Sequence, residues 1–133
     1  MNQVIKLFVL ACLLLPLSTM AYEQQGSVKR AIVTSGIDNR EPSDSLNDKL
    51  ISAGTNKVYF FTEVLNQANT HITHRWFLNG KLEAEVVLKI GSNRWRTYSS
   101  KNLVPTYHSG NWQVEVVDQN GRQLASQNFR YGN

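Results

Sequence analysis

"HRWFLNGKLEAE", residues 74–85, decides how this chain folds. An Asn-Gly pair sits between a run rich in aromatic residues and a run in which acids alternate with apolar residues, the pattern of a β-hairpin. Two loops fit. A two-residue Asn79-Gly80 turn sets Leu78 opposite Lys81 and puts Arg75 on one face with Leu82, Ala84 and Val86. An unpaired cation on an apolar face is costly. A three-residue loop, Leu78-Asn79-Gly80 with Gly80 left-handed, sets Trp76 opposite Leu82, Arg75 opposite Glu83 and His74 opposite Ala84. Ile72, His74 and Trp76 then share the apolar face with Leu82, Ala84, Val86 and Leu88. A one-residue slip exchanges the two faces, so the three-residue loop is the expected register.

The next turn, "IGSN" at 90–93, extends the hairpin into a meander. A two-residue Gly91-Ser92 loop pairs Leu88 with Trp95, Val86 with Thr97 and Ala84 with Ser99. In "RWRTYSSK", 94–101, Trp95 then points into the core, and Arg94, Arg96 and Tyr98 point outward beside Glu85 and Lys89. That outward row reads either as a solvated charge ladder or as an anion- or glycan-binding stripe of Arg94, Arg96, Tyr98 and Lys101.

Outward from this centre the chain stays β-like. "KVYFFTEVL" (57–65), "WQVEVVD" (112–118) and "RQLASQNFRY" (122–131) are short apolar-alternating runs separated by turn signals such as Asn120-Gly121. Six to seven strands without a strong helix predict an all-β fold, a single antiparallel β-sandwich, immunoglobulin-like in broad architecture. Trp76, Trp95 and Trp112 are its expected core tryptophans. "VKRAIVTSGI", 28–37, is a first edge strand. "DNREPSDSLNDKLISAGTN", 38–56, is a long connection with one helical turn around Asp44–Leu50. A loop of that length is either pinned or functional. Pro42 holds Glu41 extended, and Arg40-Glu41 either ties the loop to the sheet or faces a ligand.

At the N-terminus, Lys6 precedes the apolar run Leu7 to Leu17 and the small residues of "STMA". A spanning helix needs about 20 apolar residues, so residues 1–21 read as a signal peptide, 22–29 as a flexible segment and 30–133 as the domain. The mature chain is expected in the periplasm or secreted, with no membrane span. The single cysteine, Cys12, falls in the leader, so stability rests on packing and sheet pairing. The formal charge is +4. Cations are interleaved with Glu63, Glu83, Glu85, Glu115 and Asp118, not gathered on one face, which argues against a nucleic-acid partner.

Catalytic constellations are weak. His74, a serine at 99 or 100 and Glu63 would make a hydrolase set. In the meander register, however, His74 and Ser99 lie two strands apart, about 9–10 Å, where a nucleophile and its base need roughly 2.6–3.2 Å. His71 and His74 fall on opposite faces of one strand, so no metal site is expected. The glycines lie at turns, so no cofactor is expected either.

"RAIVTSGIDNREP" (30–42), "VYFFTEV" (58–64), "THRWFLNGK" (73–81), "RWRTYSSKNL" (94–103) and "GNWQVEVVDQNG" (110–121) together resemble the bacterial domain-of-unknown-function 2914 family. The likeness runs from about Arg30 to Tyr131. It supports the domain boundaries and adds no chemistry, since the family has no established activity. The sequence thus points to a non-enzymatic envelope module that binds a protein or an anionic polysaccharide. Its binding residues are Arg40, Glu41, Arg75, Arg94, Arg96, Tyr98 and Lys101. The alternatives are the His74 hydrolase and a structural component of an envelope assembly.

Overall fold

A computed structural model of the protein describes Pro16 and residues 25–133. The expected signal peptide and residues 22–24 lie outside the described residues, Pro16 apart. No helix forms among the described residues. Seven long strands carry the fold: β1 (Ser27–Thr34), β5 (Lys57–Leu65), β6 (Thr70–Leu78), β7 (Lys81–Ile90), β8 (Arg94–Asn102), β9 (Gly110–Asp118) and β10 (Gln123–Tyr131). Three two-residue strands join them: β2 (Ile37–Asp38), β3 (Glu41–Pro42) and β4 (Leu50–Ile51). One sheet runs β1-β5-β8 and the other β4-β10-β9-β6-β7, while β2 and β3 form a small ribbon. The long strands pair antiparallel, and β4 joins β10 in parallel. This is an immunoglobulin-like β-sandwich.

The core is aromatic at its centre. Trp112 stacks on Phe129 with centroids 5.7 Å apart. Trp76 meets Phe129 and Phe60 edge-on at 6.4 and 6.2 Å. Val58, Val64, Ile72, Val114 and Val116 close the space between the sheets. Each comes from the inward parity of its strand, as a two-residue side-chain period requires.

The central hairpin differs from its expected register. Asn79 and Gly80 both have positive φ, 48° and 82°, and Leu78 pairs with Lys81. That is the two-residue primed turn, matched to strand twist. The misplaced arginine it implied is avoided by a bulge. Phe77 pairs with Leu82, but Trp76 pairs with Ala84, so Glu83 is the extra residue. Beyond the bulge His74 faces Val86, and Arg75 faces Glu85 rather than Glu83. Leu82, expected inside, stays outside and 40% exposed.

The meander is not formed. β8 leaves β7 after Gly91-Ser92 and joins the other sheet, pairing with β5 from Leu65↔Arg94 to Lys57↔Asn102. Trp95 therefore sits at the sandwich margin, over Gly91, and is 38% exposed. The core holds Trp76 and Trp112, not Trp95.

The 38–56 connection is pinned and contains no helical turn. A bend closed by Lys49 N–H on Leu46 C=O stands in its place. Asp44 accepts from Ser35 N–H and Thr34 Oγ1, both at 2.8 Å. Asn47 Oδ1 accepts from Val33 N–H at 2.8 Å, and its Nδ2 donates to Ala31 C=O. Asp48 N–H donates to Asn128 C=O, and Lys49 C=O accepts from Arg130 N–H. Residues 46–51 thus bridge β1 to β10 and close one flank of the sandwich. At the start of the domain, the first edge strand expected over 28–37 runs from Ser27 to Thr34 and takes in the end of the segment 22–29 that was expected to be flexible. Arg122 there holds Gln25 Oε1 and Gly26 C=O.

Candidate functional site

The opposite flank, between β7 and β8, is open. It holds a cleft of about 550 Å³. Arg40, Arg94, Arg96 and Tyr98 line its outer side, Leu88 and Trp95 its inner side, and Lys89, paired with His71 on the outer face of the larger sheet, its far rim. Strand parity makes this division: even-numbered residues of β8 point outward, odd-numbered ones toward the facing sheet.

The outer wall is an ion-pair network. β5 is the middle strand of its sheet, and Glu63 points from it to the outer face. Yet Glu63 is only 1% exposed, because two arginines cover it. Arg30 Nε lies 2.8 Å from Oε1, and Arg94 Nε 2.8 Å from Oε2. Arg30 also makes a two-pronged pair with Glu41, at 2.7 and 3.0 Å, and lies over the Phe61 ring at 4.8 Å. Arg96 Nη1 meets Glu41 Oε1 at 2.6 Å. The β2–β3 ribbon delivers Glu41: Asn39 and Arg40, with φ of 49° and 62°, form a primed turn that lays the ribbon over the sheet.

These contacts set the charge states. Hydrogen bonds from Arg30, then Arg96, hold the Glu41 carboxyl down at about 2. Bonds from Arg30, then Arg94, lower that of Glu63 against the opposing pull of burial. Both are carboxylates at neutral pH. Three arginines thus face two carboxylates, and Arg40 and Lys89 add cations that make no ion pair among the described residues.

Other residues expected in the site lie elsewhere. Arg75 is on the outer face of the larger sheet, held by Glu85 at 3.0 Å and Glu115 at 3.2 Å. Lys101 has the opposite parity to Arg94 and Arg96 and is outside the cleft. Arg30 was not anticipated, and Lys89 was expected only as a neighbour of Arg94 in the outward row, not as a binding residue. Arg30 reaches Glu63 from β1, on the far side of β5 from β8, and Lys89 approaches from β7 at the margin of the other sheet, placements that no local pattern encodes.

The His74–Ser99 separation also needs correction. Because β8 faces β6 across the core, His74 Nδ1 lies 2.6 Å from Ser99 Oγ. Thr62 Oγ1 is 3.2 Å from Nε2, and Trp76 Nε1–H donates to Ser99 Oγ at 3.2 Å. The ring is fully buried beside Phe60, 4.7 Å away. Burial pushes its pKa down to about 3. Glu63 points to the other side of its sheet, so no carboxylate orients the imidazole. The set satisfies a polar group in the core, as buried polar groups require. Among the described residues no three His, Cys, Asp or Glu side chains gather as a metal site, and no helix is long and apolar enough to cross a membrane.

The fold places the protein among immunoglobulin-like β-sandwich domains. Residues 69–131, from the start of β6 to the end of β10, match the family described as "Protein of unknown function (DUF2914)". The family resemblance is therefore shown over that stretch, and residues 30–68 lie outside it. Among solved structures, the CARDB domain of a Pyrococcus furiosus protein, in complex with di-metal ions, is 10% identical. That comparison covers 81% of this chain and 93% of the other, with a TM-score of 0.49. A Niemann-Pick type C2 protein from Japanese carpenter ant is 9% identical, over 84% of this chain and 96% of that one, with a TM-score of 0.41. No curated protein matches the chain.

Proposed function

We propose that this is an exported, non-enzymatic recognition module of the cell envelope, periplasmic or secreted, that binds an anionic protein segment or polysaccharide in the β7–β8 cleft. The excess of arginine and lysine over carboxylate around one cavity carries the reading. Guanidinium groups suit carboxylates and phosphates because they present several N–H donors in a fixed plane. Trp95 and Tyr98 add exposed ring surface on either side of β8, of the kind that packs on sugar rings or apolar side chains. The leader-like residues 1–21 support export. The His74–Ser99 pair supports packing rather than hydrolysis, since no cleft residue reaches it.

Trp95 supplies the test. Trp76 and Trp112 are buried, so iodide quenching of tryptophan fluorescence reports on Trp95. Titration with a polyuronate at low salt should protect Trp95, and neutral dextran should not. Arg40→Ala combined with Arg96→Ala should weaken the effect about tenfold or more, as two lost charge-assisted contacts imply. Retention of the polyuronate by the double variant, or no binding of any polyanion by the parent, would remove the reading.

A further inference from the structure

Long strands lie at four sheet margins: β1 and β8 in the smaller sheet, β10 and β7 in the larger, where β4 covers only two residues of β10. Natural sheets blunt such edges with bulges or cover, and three of these are blunted. β1 has an extra residue at Lys29, and Leu46 and Asn47 bond to its outer side. β10 has an extra residue at Leu124 and takes bonds from 48–51. β7 has the bulge at Glu83. β8 has neither bulge nor cover, and its protection is charge, Arg94, Arg96 and Lys101, which repels a basic strand and leaves an acidic one free to pair. Its nine residues pair with β5 without a shift, it contains no proline, and its other side opens on the cleft.

The direction of its backbone groups is settled by its ends. Asn93 C=O accepts from Asn66 N–H, and Leu103 N–H donates to Asn56 C=O. Odd-numbered residues therefore bond to β5. Arg94, Arg96, Tyr98 and Ser100 turn their N–H and C=O groups to the open flank, as alternation requires. The Arg94 carbonyl already takes a bond there, from Ser92 Oγ at 2.7 Å.

We infer that the free edge of β8 takes an extended acidic segment of another protein as an added antiparallel strand. The inference rests on the cleft being an anion site and specifies its occupant. In a hydrogen-bonded antiparallel pair, opposed residues share a face. Partner residues bonded to Arg94, Arg96 and Tyr98 thus emerge on the outer face, beside Arg40, and acids suit them. The alternate residues lie toward Leu88 and Trp95, and apolar groups suit them. The cognate pattern is acid–apolar alternation. A second copy of this chain fits poorly, because it would bring the same arginines to both sides of the joint.

The probe is an eight-residue peptide of alternating Glu and Val, blocked at both ends, together with two N-methylated forms and a polyuronate. All are titrated against the purified protein by Trp95 quenching. N-methylation at the glutamates removes the donors facing β8, and N-methylation at the valines removes those facing away. The parent peptide should bind. The glutamate-methylated form should bind about tenfold more weakly or less, and the valine-methylated form about as well as the parent. Hydrogen exchange of the Arg96 and Tyr98 amides should slow when the parent is bound. Equal binding by the glutamate-methylated peptide would overturn strand addition. So would binding of the polyuronate but not the peptide, which leaves the anion site standing. If neither binds, both readings fall.

Discussion

Ser99 Oγ lies 2.6 Å from His74 Nδ1 although the two residues come from facing sheets. One arrangement of protons satisfies every member of the cluster. Trp76 Nε1–H donates to Ser99, Ser99 donates to Nδ1, and Nε2–H donates to Thr62 Oγ1. Ser99→Ala strands the indole N–H and a ring nitrogen in the core. It should cost about 1–3 kcal/mol, read as a fall in the urea midpoint with an unchanged slope.

The same imidazole makes stability fall with acid. His74 is neutral in the folded state, with its pKa depressed to about 3, whereas an unfolded histidine titrates near 6.5. Its contribution is complete above about 6.5. Between there and about 3 the unfolded chain holds the extra proton, so stability declines, by at most about 1.4 kcal/mol per pH unit for one proton. His108, also lowered by burial, acts in the same sense. Urea titrations at pH 7 and pH 5 should show the loss, and the difference between the two should be smaller in His74→Gln.

Below about pH 4.5 a second group takes over. Glu41 and Glu63 have depressed folded pKa values, held down by arginine hydrogen bonds. Their contributions are present above the unfolded value and are lost as pH falls through the depressed folded values, which for Glu41 is about 2. Glu63→Gln should flatten that acid limb. At pH 7 it should cost about 1–2 kcal/mol, less than a fully buried pair, because Arg30 and Arg94 keep contact with water.

Gly110 is required where it stands. Its φ is +144°, and a Cβ there would lie 2.6 Å from Asn79 Oδ1. Asn79 in turn accepts from Asn111 N–H at 2.9 Å and ties the central hairpin to β9. Gly110→Ala should cost about 1–3 kcal/mol through strain and loss of that tie, visible as a lower melting temperature.

Arg40 separates binding from stability. It sits at φ +62° at the tip of the ribbon and has no carboxylate partner among the described residues. Arg40→Gly removes the cation and relaxes the backbone. Polyanion affinity should drop while the melting temperature stays level or rises slightly.

Much of this was legible in the residues. Alternation marked the long strands, and it correctly sent Trp76 inward and Arg75 outward, because burying a guanidinium is costly at any register. It also held the parity of Lys101, which cannot share a face with Arg94 and Arg96 on a regular strand. The Glu83 bulge was less visible. A primed Asn-Gly turn and a shifted register looked mutually exclusive, and one extra residue reconciled them.

By itself, the sequence determined the β-character of the chain, the inward and outward side of most strand positions, and the turns at Asn79-Gly80 and Asn120-Gly121. Those depend on side-chain period and backbone preference, which are local. Only the tertiary structure decided that β8 leaves its neighbour and pairs with β5. Strand alternation is satisfied equally by a hairpin partner and by a distant one, so sheet membership depends on long-range packing. That choice moved Trp95 to the margin, brought Ser99 to His74, and put Arg94 and Arg96 beside Glu63 and Glu41.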